Sequence, residues 1–167
     1  MKYWKYSPGR GGRYWGFCKN NSLIAIGWSD VGDLTNYVYQ EQLSMAFDQN
    51  DWASRKWNTG DTQLWNFLKF CDEEDIVVSY SRGWILCVGS VNSIYYFDEK
   101  NPIDLNRNRQ YYHRKKVEWF EKTTKDVSEN HILYGDPPAT YGTLNKQLTF
   151  YEITDSYTIN YINKMII

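Results

Sequence analysis

At 167 residues the chain is long enough for one well-cored domain, and its 42% apolar content excludes a disordered polypeptide. A net charge of −1 excludes a bulk polyelectrolyte, and no apolar run is long enough for a membrane-spanning helix. The unusual quantity is the aromatic share of 18%, with 8 Trp and 15 Tyr, a composition suited to interfaces and stacking sites as well as to a core.

Residues 2–6 read as a first strand, and Ser7-Pro8-Gly9-Arg10-Gly11-Gly12 as a loop by its Pro and Gly content. Residues 13–19 fit a short helix with Tyr14 and Cys18 one turn apart. Residues 23–28 form an apolar run short enough for a buried strand. Residues 33–47 predict a helix with Tyr39, Leu43, Ala46 and Phe47 on one face. Residues 51–61 read as a loop carrying Trp52 and Trp57. Asp61 or Thr62 then caps a second helix that buries Leu64, Phe67 and Leu68.

The β-branched run 75–80 predicts a strand, Ser81-Arg82-Gly83 a tight hairpin, and 84–97 a long strand bent near Gly89. A polar loop follows over 98–110. Residues 111–122 read as a strand with Val117 and Trp119 pointing inward, Asp136-Pro137-Pro138 breaks the chain, and 144–153 holds a last strand. This order predicts an α+β fold, a curved β-barrel of mainly antiparallel strands flanked by helices. The domain is expected over 1–155, with 156–167 a tail or a linker to a partner domain.

Charge is segregated along the chain. Residues 1–29 carry Lys2, Lys5, Arg10, Arg13 and Lys19 and no acid, whereas 30–54 carry acids and no Lys or Arg. The segment Arg107-Asn108-Arg109-Gln110-Tyr111-Tyr112-His113-Arg114-Lys115-Lys116 mixes cations with aromatics, which suits either a phosphate backbone or a charged strand edge. His113 reads there as an additional cation. The acidic run Asp72-Glu73-Glu74-Asp75 reads as a solvated turn.

No catalytic constellation is legible. HExxH, Cys/His ligand spacing, a P-loop GK[ST] and a GxSxG elbow are all absent from the sequence, so no metal and no cofactor is expected. Cys18, Cys71 and Cys87 are isolated and odd in number, which argues against a disulfide framework. Without a signal peptide pattern, a cytoplasmic location is expected.

What stands out instead suits a pocket for a flat ring. Trp28 ends a buried run and is followed at once by polar Ser29-Asp30. Trp57-Asn58 precedes a helix, Tyr95-Tyr96 ends a strand, and Tyr111-Tyr112 opens the next. Stacking a base on one aromatic face is worth roughly 1–3 kcal/mol, enough for two faces to offset the cost of flipping it.

In order and spacing these features resemble the EVE-like branch of the PUA superfamily, as in the N-terminal domains of McrB-type modification-dependent restriction proteins. The resemblance lies in Tyr3-Trp4 with Ser7-Pro8, in the run from Gln63 to Lys69 followed by Glu74-Asp75-Ile76-Val77-Val78, and in residues 85–91. Ile24-Ala25-Ile26-Gly27-Trp28, with Tyr14-Trp15 before it and Gly32-Asp33-Leu34 after it, completes the pattern. In the related YTH readers a cage Trp follows a strand in a Trp-Ser pair, which Trp28-Ser29 resembles.

The resemblance implies a reader that flips a modified, methylated base of DNA into an aromatic pocket and targets a restriction system. Ser7, Trp28, Ser29, Trp57, Asn58, Tyr80, Tyr95 and Tyr96 are the expected pocket residues. Arg10, Arg13, Arg107, Arg109, Arg114, Lys115 and Lys116 are expected on the nucleic-acid backbone. Trp57-Asn58-Thr59-Gly60 departs from the EVE pattern. The implied partners are a C-terminal AAA+ GTPase domain and a nuclease subunit. The alternatives are an RNA-modification reader and a base-processing enzyme on the same fold.

Overall fold

The computed structural model describes residues 1–49, 59–103, 110–124 and 142–167. Among these, seven strands form one mixed sheet: β1 Tyr3–Tyr6, β2 Leu23–Ile26, β3 Ile76–Ser81, β4 Trp84–Val91, β5 Tyr96–Phe97, β6 His113–Trp119 and β7 Phe150–Glu152. Their order is β2-β6-β4-β3-β1-β7, with β5 also paired to β6. The β1–β3 pair is parallel and the other pairs are antiparallel, and the sheet curls into a half-barrel. Four α-helices flank it among the described residues: α1 Trp15–Asn20, α2 Gln40–Gln49, α3 Gly60–Lys69 and α4 Ser156–Ile166. This is the α+β architecture expected from the element order.

Strand alternation divides the apolar residues between two faces. Trp4, Tyr6 and Val77 join Cys18, Leu43, Phe47, Leu64 and Phe67 in the larger core, beneath α1, α2 and α3. Trp4 stacks on Phe150 at 4.9 Å with 8° between the planes. Tyr3, Val78, Tyr80, Ile85 and Val88 form a second core with Leu144 and Ile162. Residues 156–167 are therefore not a free tail: Ile162 of α4 is fully buried, and the Tyr3 hydroxyl donates to Asn163 Oδ1 at 2.7 Å.

Several elements differ from the local reading. The expected helix over 33–47 is a short 3-10 turn, Leu34–Asn36, followed by α2, and Tyr39 is 64% exposed. The long strand expected over 84–97 ends at Val91, and Gly89 is not a bulge. A Cβ at Gly89 would lie 2.6 Å from the Glu118 carbonyl oxygen, so β6 crosses too closely for a side chain. The register irregularity falls instead between Ser79 and Tyr80. Asp75 is buried rather than solvated, because its carboxylate accepts from Trp4 Nε1 at 2.9 Å and from the Lys2 and Asp72 amides at 2.6 and 3.0 Å. The last strand is shorter than expected, being preceded by a 3-10 turn at Gly142–Asn145.

Candidate functional site

Gly27 and Trp28 carry the chain off the sheet at the end of β2. Trp28 takes the left-handed backbone conformation, with φ 60° and ψ 35°. That region costs an L-residue roughly 1–2 kcal/mol and persists only where neighbours over-determine it. Here the Trp28 carbonyl accepts from the Val31 amide at 3.3 Å and from His113 Nε2 at 3.4 Å, while Ser29 Oγ accepts from the Tyr112 amide at 3.0 Å. Tyr111 is a second aromatic held at positive φ, 41°, and its carbonyl accepts from Arg114 Nε at 3.2 Å.

Behind Trp28 runs a buried polar relay. A carbonyl oxygen only accepts, so His113 Nε2 carries the proton and Nδ1 is left to accept from the Tyr95 hydroxyl at 2.9 Å. The Tyr95 oxygen in turn accepts from the Leu34 amide at 3.1 Å. Burial pulls the His113 pKa down to about 4, against smaller opposing effects from its bond to Trp28 and from Asp33. His113 is thus a neutral scaffold residue and not the additional cation its basic neighbours suggested. Burial also raises the Tyr95 hydroxyl well above the usual phenol range.

The Trp28 ring is half-buried. It meets Phe47 of α2 with centroids 6.0 Å apart and planes 58° apart, and a Cβ on Gly60 would come within 2.9 Å of it. On the other side of the β2 exit, Tyr111 packs on Tyr14 at 4.7 Å, and its ring lies 3.7 Å from where a Gly27 Cβ would sit. Tyr14 in turn fills the space over Gly9. A band of aromatic contacts therefore runs from the Gly-rich loop, across the end of β2, to the start of α3, with Tyr14 and Phe47 buried in it and Trp28 and Tyr111 partly exposed.

The structure brings together some of the expected pocket residues and separates others. Trp28, Ser29 and Tyr95 share one network, although Tyr95 is buried as part of the support. Tyr96 is half-buried on β5, paired in register with Arg114. Ser7 is half-buried at the end of β1, its amide donating to the Thr149 carbonyl at 2.8 Å. Tyr80 lies on the opposite face of the sheet in the second core, because alternation along β3 sends it away from Val77. Trp57 and Asn58 lie outside the described residues.

The basic segment is also divided. Arg114 is 2% exposed, paired with Asp98 at 2.6 Å, donating to the Asn101 carbonyl, and stacked over Phe17 with its guanidinium carbon 5.7 Å from the ring centre. Lys115 is 2% exposed, with Nζ donating to the Cys71 carbonyl at 2.6 Å, and its pKa is lowered chiefly by burial. Both are committed to the interior, which corrects the expectation that they touch phosphates. Lys116, Arg10 and Arg13 are exposed, and Arg107 and Arg109 lie outside the described residues. Tyr111 belongs to one of the aromatic pairs that local reading singled out, whereas Tyr14 and His113 are the residues that it did not place in the site. Their only trace in the sequence is the density of aromatics on either side of Gly27 and Trp28.

Among the described residues no group of three His, Cys, Asp or Glu side chains is placed to hold a metal ion, and no helix is long and apolar enough to cross a membrane. Cys18, Cys71 and Cys87 are free and buried, and burial pushes the Cys18 and Cys71 thiols up to about 12.

No curated protein matches the sequence. Similar solved structures include the YTH domain of the Zygosaccharomyces rouxii MRB1 protein in complex with N6-methyladenosine RNA. That likeness has a TM-score of 0.47 and 12% sequence identity, over 99% of this chain and 87% of the other. No residue role follows from a likeness at that level. The model of the family described as Domain of unknown function (DUF8426) matches residues 4–146, and the chain belongs to that family.

Proposed function

We infer that this domain is a reader of modified nucleic acid, a binding module that holds a flipped-out base against Trp28. The observation that carries the reading is the Trp28 backbone, held in a strained conformation by the Tyr95–His113 relay while its ring stays half-buried at the sheet exit. Strain maintained by a dedicated buried network is a mark of a functional position. A core Trp gains nothing from it, whereas a stacking platform gains a fixed orientation. Ser29 beside it adds a polar edge, and Tyr111, half-buried and backed by the buried Tyr14, extends the aromatic surface.

The finer reading follows the sequence resemblance: a methylated base in DNA, recognised as the targeting step of a modification-dependent restriction system. A GTPase motor and a nuclease would act in partner domains or subunits, in the cytoplasm. Within this reading the domain itself performs no chemistry, since His113 is spent on the scaffold.

The test is a titration of matched DNA and RNA duplexes, each plain or carrying one N6-methyladenine or one 5-methylcytosine. The expected result is tighter binding of one modified DNA duplex than of its plain counterpart. Trp28→Ala should remove that preference at a cost of roughly 1–3 kcal/mol, with little change in salt dependence. Equal affinity of the wild type for every modified and plain duplex would overturn the reading. Preference confined to modified RNA would move it to RNA.

A further inference from the structure

We propose that Arg10, Arg13 and Arg82 form the phosphate-binding face of this domain, gripping the nucleic-acid backbone beside the base held at Trp28; the proposal rests on the reader function above. Arg82 sits at the tip of the β3–β4 hairpin, where Arg82 and Gly83 both have positive φ, 51° and 87°. This tight turn folds the Arg82 side chain back over the Gly-rich loop. A Cβ on Gly11 would meet Arg82 Nη2 at 2.8 Å and Nε at 3.1 Å, so the guanidinium lies flat on a backbone that only glycine leaves bare. Arg10 and Arg13 flank that same glycine, with Arg13 Nε donating to the Arg10 carbonyl at 3.4 Å.

All three arginines are exposed. The ion pair found among the described residues is Arg114–Asp98, so no described carboxylate neutralises this cluster. Residues 1–29 contribute no acid to it. Guanidinium groups offer planar paired donors that match phosphate oxygens, and exposed ones reach a phosphate without the desolvation that confines Arg114 and Lys115. The cluster is also continuous with the aromatic band: Tyr14, next to Arg13, packs over Gly9 on one side and on Tyr111 on the other. On the far side of Trp28, the described residues 30–49 carry Asp30, Asp33, Glu41 and Asp48 and no Lys or Arg. A phosphodiester chain is repelled there and attracted to the arginine side, which sets the direction from which the strand approaches.

The test uses fluorescence anisotropy with a fluorescein-labelled DNA duplex, plain or with one N6-methyladenine, titrated at several salt concentrations. Arg82→Asn removes the charge with a residue that suits the left-handed turn, so the fold is kept. It should flatten the slope of log affinity against log salt by about 0.9, and Arg10→Gln with Arg13→Gln by about 1.8, equally for plain and modified duplex. Lys164→Gln, an exposed charge on α4, should leave the slope unchanged. An unchanged slope in both arginine variants, with Trp28→Ala still abolishing the modification preference, would overturn this proposal and leave the reader function standing. An arginine-dependent slope without any modification preference in the wild type would do the reverse. A wild type that binds neither these duplexes nor their RNA counterparts would overturn both.

Discussion

Trp28 and His113 are joined through one carbonyl oxygen, so the protonation of a buried ring and the posture of an aromatic platform are linked. The folded state keeps His113 neutral down to about pH 4, whereas an unfolded His titrates at 6.5. Between those values the unfolded chain binds a proton that the folded chain refuses. Stability attributable to this group is therefore complete above pH 6.5 and falls on acidification, by roughly 3 kcal/mol at pH 4. Below about pH 4 the loss levels off, because both states are then protonated. Urea unfolding across this range should show a wild-type decline that is shallower in His113→Gln, which lacks the titration. Parallel pH profiles for the two proteins would contradict the assignment of a neutral His113.

The pairing of β4 with β6 is unusually tight at a single point. An alanine at Gly89 would bring its Cβ to 2.6 Å from the Glu118 carbonyl oxygen and 2.7 Å from Val117 Cγ1, and neither is a flexible side-chain end. Gly89→Ala should therefore destabilise the domain by roughly 1–3 kcal/mol, as overpacking does. Gly16 provides the contrast. It lies within α1 with nothing within 4 Å of an added Cβ and with negative φ, so Gly16→Ala should stabilise by roughly 0.5–1 kcal/mol. Thermal unfolding of the two variants should shift the midpoint in opposite directions, and a loss in both would mean that α1 has no room for a methyl group.

A single sheet supplies both cores, so the two faces should unfold together. The described tryptophans lie in or against the larger core, while Ile162 of α4 is buried in the other. Ile162→Ala should cost roughly 2–5 kcal/mol through lost burial and the cavity left behind. The midpoint seen by tryptophan fluorescence should move as far as that seen by far-ultraviolet circular dichroism, although no described tryptophan belongs to the second core. A shift confined to dichroism would show that α4 melts independently of the sheet.

Local signals were sufficient where neighbours in sequence are also neighbours in space. The runs that became β1, β2 and β3, the Arg82-Gly83 turn and the buried face of α3 follow from periodicity and turn chemistry, and together they make an α+β fold legible. The Trp-Ser pair at the exit of β2 marked a candidate platform for the same reason. Other features depended on distant partners. Arg114 went inside because Asp98 and the Asn101 carbonyl receive it there, and Lys115 because the Cys71 carbonyl does. Tyr80 was assigned to the second core, and residues 156–166 to α4, because the curled sheet presents a second apolar face that needs cover. Alternation says that two faces differ, but only the assembled sheet decides what lies on each. A charged residue's place depends in the same way on which far-off oxygen is waiting for it.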